Sequence, residues 1–211
     1  MQNRSLTVPD PTALGLFALA AIALLLIPGP SVLYVVTQSA EQGRLAGLAS
    51  VLGIHLGTLV HVTAAAFGLS ALVLASAVAF SVVKFAGAAY LIYIGIRKLL
   101  DRTPATDVEP RRAPLRTIFF RGVIVNVLNP KTALFFLAFL PQFVDTTQGS
   151  VWFQVVVLGS LFIALGLISD SLYALAGGFI GDLLRRRRTA MRYASGTIYI
   201  GLGAVAALAR R

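Results

Sequence analysis

No cysteine occurs in the 211 residues. That removes disulfides, thiol nucleophiles and thiolate metal sites together. Histidine is nearly absent too: His55 and His61 are the only two. Being six positions apart, they point about 120° from each other round a helix, so they are not an i, i+4 metal pair. Charge is scarce, with 12% of residues charged against about 25% in soluble domains. A redox or nucleophilic centre has little to be built from, so no catalytic residue, cofactor or bound metal is expected, and an enzyme is disfavoured.

What the chain has is apolar length, 57% hydrophobic overall. No charged side chain falls between Pro11 and Ala40, Leu45 and Val83, Thr146 and Ser169, or Tyr193 and Ala209. Crossing about 30 Å of hydrocarbon takes roughly 20 such residues, so these runs predict membrane-spanning helices. The first run is read as a retained span rather than a cleaved leader. Pro28-Gly29-Pro30 ends its core, no small-x-small cleavage site follows, and hydrophobicity resumes at Val32.

The formal charge of +10 is not a nucleic-acid footprint. Arg97, Lys98, Arg102, Arg111, Arg112, Arg116 and Arg121 form one group, and Arg185 to Arg188 with Arg192 another. Both sit between apolar runs, where positive charge orients a chain in the membrane. With Arg44 added, thirteen of the eighteen Arg and Lys flank the turns after spans one, three and five. The opposite side has Arg4, Arg210 and Arg211. That bias places the basic loops in the cytoplasm, against anionic lipid headgroups, and both termini outside.

The expected fold is an all-α membrane protein with six transmembrane helices. Span one runs from Thr12 to Thr37, interrupted at Pro28-Gly29-Pro30, and a turn covers Gln38 to Arg44. The stretch from Leu45 to Leu100 holds two spans divided near Ser76 to Ser81. A proline-rich linker of both charge signs, Asp101 to Arg116, follows. Span four runs from Thr117 to Val144, broken at Asn129-Pro130, with a turn from Asp145 to Ser150. Span five covers Val151 to Leu184 and span six Arg192 to Leu208.

Shifting the chain by 100 residues lays Gly29-Pro30 on Asn129-Pro130. A shift of 109 lays Gly87 on Gly196 and Tyr90 on Tyr199. Residues 1–100 and 117–211 therefore read as two three-helix repeats joined by the cytoplasmic linker 101–116. With three spans each, the second copy enters the membrane inverted. Inverted repeats whose helices break at matched places mark secondary transporters.

The candidate transport residues follow from cost. Proline in a spanning helix deletes a backbone hydrogen bond, and the freed groups need partners inside protein or a wet cavity. Pro28, Gly29, Pro30, Asn129 and Pro130 mark two such breaks, whose half-helix N-termini attract carboxylates. Lys131 lies mid-span, at a cost of about 2.5–3.5 kcal/mol, and should meet an anion. With Asn126 and Asn129 beside it, it is the candidate for a substrate carboxylate; an ion pair with Asp170 is the plainer reading. Asp170 is the only carboxylate deep in a span and could hold an ammonium or a proton. Lys84, one turn inside span three, is as well placed to snorkel outward as to act. His55 and His61 are candidates for proton coupling, with hydrogen-bonded packing the more ordinary role. Glycine pairs Gly43/Gly47, Gly53/Gly57 and Gly177/Gly181 suit close helix contact.

In order, Pro28-Gly29-Pro30, Gln42-Gly43-Arg44-Leu45-Ala46-Gly47, Lys84-Phe85-Ala86-Gly87-Ala88-Ala89-Tyr90-Leu91, Asn126 to Lys131 and Phe139-Leu140-Pro141-Gln142-Phe143-Val144 resemble the LysE/RhtB family of bacterial amino-acid exporters. The closing segment, Ser195-Gly196 and Gly201-Leu202-Gly203, is similar as well. The likeness covers almost the whole chain. It implies export of amino acids or close derivatives across a bacterial inner membrane, driven by the proton gradient or the membrane potential. The positions shared with the family are Pro28, Gly29, Pro30, Gly43, Gly47, Lys84, Gly87, Tyr90, Asn129, Pro130 and Lys131, and Lys84 and Tyr90 thereby join the transport candidates. Gln38 stands where many relatives have a basic residue and His55 where a small one is usual, so the gate or substrate preference differs here. Partners expected are the substrate, protons, lipid and a second copy of the chain. A metal-ion or other small-solute exporter of related fold is the alternative, and a non-transporting subunit a further one.

Overall fold

The computed structural model describes residues 9–75 and 113–177 continuously, with scattered positions from 85 to 100 and from 179 to 204. Lys84, Tyr90, the linker 101–112 and most of spans three and six lie outside the described residues. Among the described residues all regular structure is helical: α1 Pro11–Leu26, α2 Pro30–Gln42, α3 Arg44–Ala75, α4 Leu115–Val127, α5 Pro130–Leu134 and α6 Val151–Leu175. A π-turn, Phe135–Phe139, and a 3₁₀ turn, Leu140–Phe143, continue α5.

Local chemistry sets the ends. Asp10 caps α1 by accepting the Thr12 N–H at 2.8 Å, a bond that holds its carboxyl below the usual carboxylate range. Pro11, Pro30 and Pro130 each occupy the first turn, where a missing N–H costs nothing. Two helices, α3 and α6, are long and apolar enough to cross a membrane; counting α1–α2 and α4–α5 as one bent span each brings the total to four. The bends are 51° and 47°, at the positions where the prolines predict them. Leu19, Phe67, Leu128, Ile168 and Leu172 are more than half exposed, an outward apolar surface suited to lipid.

Several boundaries differ from expectation. The turn over Gln38 to Arg44 shrinks to Gly43 alone, because its φ of +90° reverses the chain without a loop. Gln42 thereby stays helical and accepts the N–H of Ala113 at 2.7 Å. Gln38 accepts from Gln42 at 2.8 Å. Helix α6 is described over Val151–Leu175 with a turn at Ala176; Gly177 and Phe179 are again helical, and the other positions up to Leu184 lie outside the described residues.

Glycine lets α3 and α4 approach closely. A Cβ on Gly53 would fall 2.0 Å from the Phe119 carbonyl oxygen. One on Gly57 would lie 2.8 Å from that of Val123, and one on Gly122 2.9 Å from that of Ser50. The Gly53/Gly57 pair is therefore a packing stripe. A larger apolar cluster gathers Phe17, Phe135, Phe136, Phe139 and Phe162, with Phe135 and Phe162 rings 4.9 Å apart. A smaller one holds Val35, Val51, Ile54 and Ala174.

Candidate functional site

Each helix break frees carbonyls, and the described residues supply donors for them. Pro28 has no N–H for Leu24, so the N–H of Ile27 turns back to that oxygen at 3.2 Å. Pro30 has none for Leu26, whose carbonyl accepts instead from the Tyr173 hydroxyl at 2.9 Å. The Ile27 carbonyl accepts the Lys131 ammonium at 2.6 Å. At the second break Pro130 deprives Asn126, whose carbonyl instead accepts the Asn129 N–H at 3.0 Å and lies 2.9 Å from His61 Nε2. A carbonyl only accepts, so Nε2 carries the proton. The His61 ring also stacks on Phe136, 6.3 Å between centroids and 10° apart in plane.

The asparagines bind the breaks together. Asn126 accepts from Ser31 at 2.9 Å and Thr132 at 3.1 Å, and donates to the Ile54 carbonyl and Thr58 hydroxyl, each at 2.9 Å. Asn129 caps α5 by accepting the Lys131 N–H at 3.0 Å and donates to Ser31 at 2.8 Å. Every polar atom of the Asn126 amide is thus engaged by protein, which leaves Lys131 as the group in this cluster able to take a solute anion by exchanging one neutral acceptor.

Lys131 and Asp170 are buried, 7% and 3% exposed, and do not form the ion pair that the plainer reading expects. Asp170 Oδ2 instead meets His55 Nε2 at 3.1 Å. Gly166, one turn before Asp170, makes room: a Cβ there would lie 2.5 Å from His55 Cε1. His55 Nδ1 and Asp170 Oδ1 are buried with no hydrogen-bond partner. Unsatisfied buried atoms of this kind are costly and uncommon.

Lys131, His55 and Asp170 line one cavity together with Gly29, Ser31 and Asn129. Its remaining wall is apolar at Leu24, Leu25, Val32, Ile54 and Phe162 and polar at Thr58, Asn126 and Thr132. Space open to the centre of a water molecule is about 30 Å³, room for one or two waters. Both apolar clusters contribute to the wall, so the cavity lies between them, partly open. Gly29 belongs here because a Cβ on it would lie 3.0 Å from Lys131 Cδ. Helix α2 begins beside the pocket with no side chain capping Gly29.

The structure therefore brings Pro28, Gly29, Pro30, Asn126, Asn129, Pro130, Lys131, His55 and Asp170 to one region, while His61 backs it from behind Asn126. Ser31, Thr58, Thr132 and Tyr173 are the members that sequence reasoning missed. Isolated hydroxyls in apolar helices were the available signal. Among the described residues no three His, Asp or Glu side chains converge, so a metal-ion exporter has no ligand set there.

The family model for the LysE type translocator matches residues 22–210. An uncharacterised membrane protein of Vibrio cholerae is 30% identical over 92% of this chain and 96% of its own length. One from Pseudomonas aeruginosa is 28% identical over 89% and 91%. A leucine efflux protein of Salmonella typhimurium is 27% identical over 89% and 91%. No solved structure matches the chain. The chain is a multi-pass protein of the bacterial inner membrane and belongs to the LysE type translocator family.

Proposed function

We propose that the chain exports a neutral aliphatic amino acid, or a close derivative, in exchange for protons. The observation that carries this reading is a buried ammonium and a buried carboxylate, Lys131 and Asp170, lining one pocket whose walls also carry the apolar side chains of Leu24, Leu25, Val32, Ile54 and Phe162. A zwitterion presents both complementary charges: its carboxylate suits Lys131 and its ammonium suits Asp170. An aliphatic side chain suits Leu24, Leu25, Val32 and Phe162, whereas a second cationic group would find no further carboxylate among the residues lining the pocket. The relative named a leucine efflux protein agrees with that choice.

Asp170 also supplies the coupling. A carboxylate exchanges a proton for an ammonium, so the two compete for one site, which is the requirement for exchange. His55 takes part through its bond to Asp170, and the unpartnered Nδ1 and Oδ1 leave both groups free to accept a proton. Moving a zwitterion out and a proton in carries one net positive charge inward, so a pH gradient and a membrane potential both drive export. The matched bends at Pro30 and Pro130 support two inverted repeats, 1–100 and 117–211, rocking about the pocket.

The test is overexpression in cells challenged with toxic amino-acid analogues, followed by counterflow in liposomes. Resistance to aliphatic analogues and saturable counterflow of the matching amino acid are expected. Counterflow of basic amino acids with none of aliphatic ones would refute the substrate class.

A further inference from the structure

In the described state the Lys131 ammonium holds the Ile27 carbonyl at 2.6 Å. That contact joins residues 104 positions apart and ties the second helix break to the first. Ile27 is 4% exposed and caps α1 in an extended conformation, so its carbonyl points away from the helix axis it terminates. The lysine side chain reaches it by crossing Gly29, where a methyl group would crowd its Cδ at 3.0 Å. A neutral carbonyl is the weaker of two acceptors for an ammonium; a carboxylate is the stronger.

We propose that Lys131 and Ile27 form a clasp that the substrate carboxylate opens, and that Lys131 is thereby the residue that makes a carboxylate obligatory for transport. This rests on the reading of the pocket as an amino-acid site. When a carboxylate enters, the ammonium transfers to it and the Ile27 carbonyl is released to water in the pocket. The 51° joint between α1 and α2 then keeps the Tyr173 bond to Leu26 and the Ser31 bonds to Asn126 and Asn129, while further along α2 Tyr34 still donates to the Ile118 carbonyl and Ser39 to that of Ala174. Motion of α2 becomes linked to occupancy, and the carrier with neither a carboxylate at Lys131 nor a proton at Asp170 stays closed. A ligand with an ammonium but no carboxylate engages Asp170 and leaves the clasp shut.

The absence of native cysteine gives a clean reporter. Val35 is fully buried on α2 and does not line the pocket, so Val35→Cys should react slowly with a polar thiol reagent in inside-out membrane vesicles. Leucine should raise the labelling rate several-fold, whereas leucinamide and isoamylamine, which keep the side chain and the amine, should leave it unchanged. In Val35→Cys combined with Lys131→Gln, labelling should be fast without ligand and indifferent to all three. Equal acceleration by leucine and leucinamide, or a leucine response that survives Lys131→Gln, would overturn the clasp. If the double variant does not reach the membrane, the three ligands on Val35→Cys decide alone. Counterflow on the same vesicles separates the two claims. Leucine transport with labelling that ignores leucine removes the clasp only; no counterflow of any amino acid removes the exporter reading and the clasp with it.

Discussion

At the scale of the residue, proline chemistry accounts for two of the polar side chains in the spans, Tyr173 and His61. Each proline in a span orphans the carbonyl four positions earlier, and an unmet carbonyl in an apolar setting costs about 1–3 kcal/mol. Tyr173 and His61 occupy those positions for Leu26 and Asn126. His61 needs only an N–H for this, not a titrating ring. His61→Gln should therefore preserve export and its pH profile, whereas His61→Leu, which leaves the Asn126 carbonyl only the Asn129 N–H, should lower thermal stability by about 0.5–1.5 kcal/mol in a detergent melting measurement. Loss of pH dependence in His61→Gln would return the residue to the proton-coupling candidates. Asp170 has the opposite character. Asp170→Asn should abolish proton-driven export at normal expression, and unchanged export with unchanged pH dependence would remove it from the mechanism. The cost of Lys131 and Asp170 in a span could be read from the sequence. Their partners could not, because Ile27 and His55 are 104 and 115 positions away and one contact is made through a backbone oxygen.

At the scale of the element, glycine spacing and proline position were the informative signals. Gly53, Gly57 and Gly122 allow backbone contact between α3 and α4, where a Cβ would sit under 3 Å from a carbonyl oxygen in every case. Gly53→Val should cost several kcal/mol, seen as loss of a monodisperse species in detergent; a stable variant would contradict the packing. Gly166→Ala should push the His55 ring off Asp170, since the added carbon meets Cε1 at 2.5 Å. Its pH profile should shift with expression unchanged, and a wild-type profile would show that the His55–Asp170 bond does not bear on coupling. The two bends were legible because Pro30 and Pro130 punctuate otherwise unbroken apolar runs. The length of the turn at Gly43 was not. A single positive φ replaces a loop without changing hydropathy.

At the scale of the whole molecule, charge placement and the pocket make separate claims. The bias of Arg and Lys predicts Thr146 outside and Ala113 in the cytoplasm. In the cysteine-free chain, Thr146→Cys should label from outside in intact cells and Ala113→Cys only after permeabilisation; the reverse pattern would invert the topology. Substrate passage requires the pocket to expand, since about 30 Å³ holds water and not an amino acid. Opening must therefore separate the phenylalanine cluster on one side or the Val35–Ala174 cluster on the other. The most direct measurement is counterflow of labelled leucine into liposomes holding the purified chain, with and without an imposed pH gradient. Saturable uptake that the gradient drives, and that Lys131→Gln and Asp170→Asn each suppress at least tenfold, is the predicted result. A folded, reconstituted chain that carries leucine equally well with both charges removed would contradict the account.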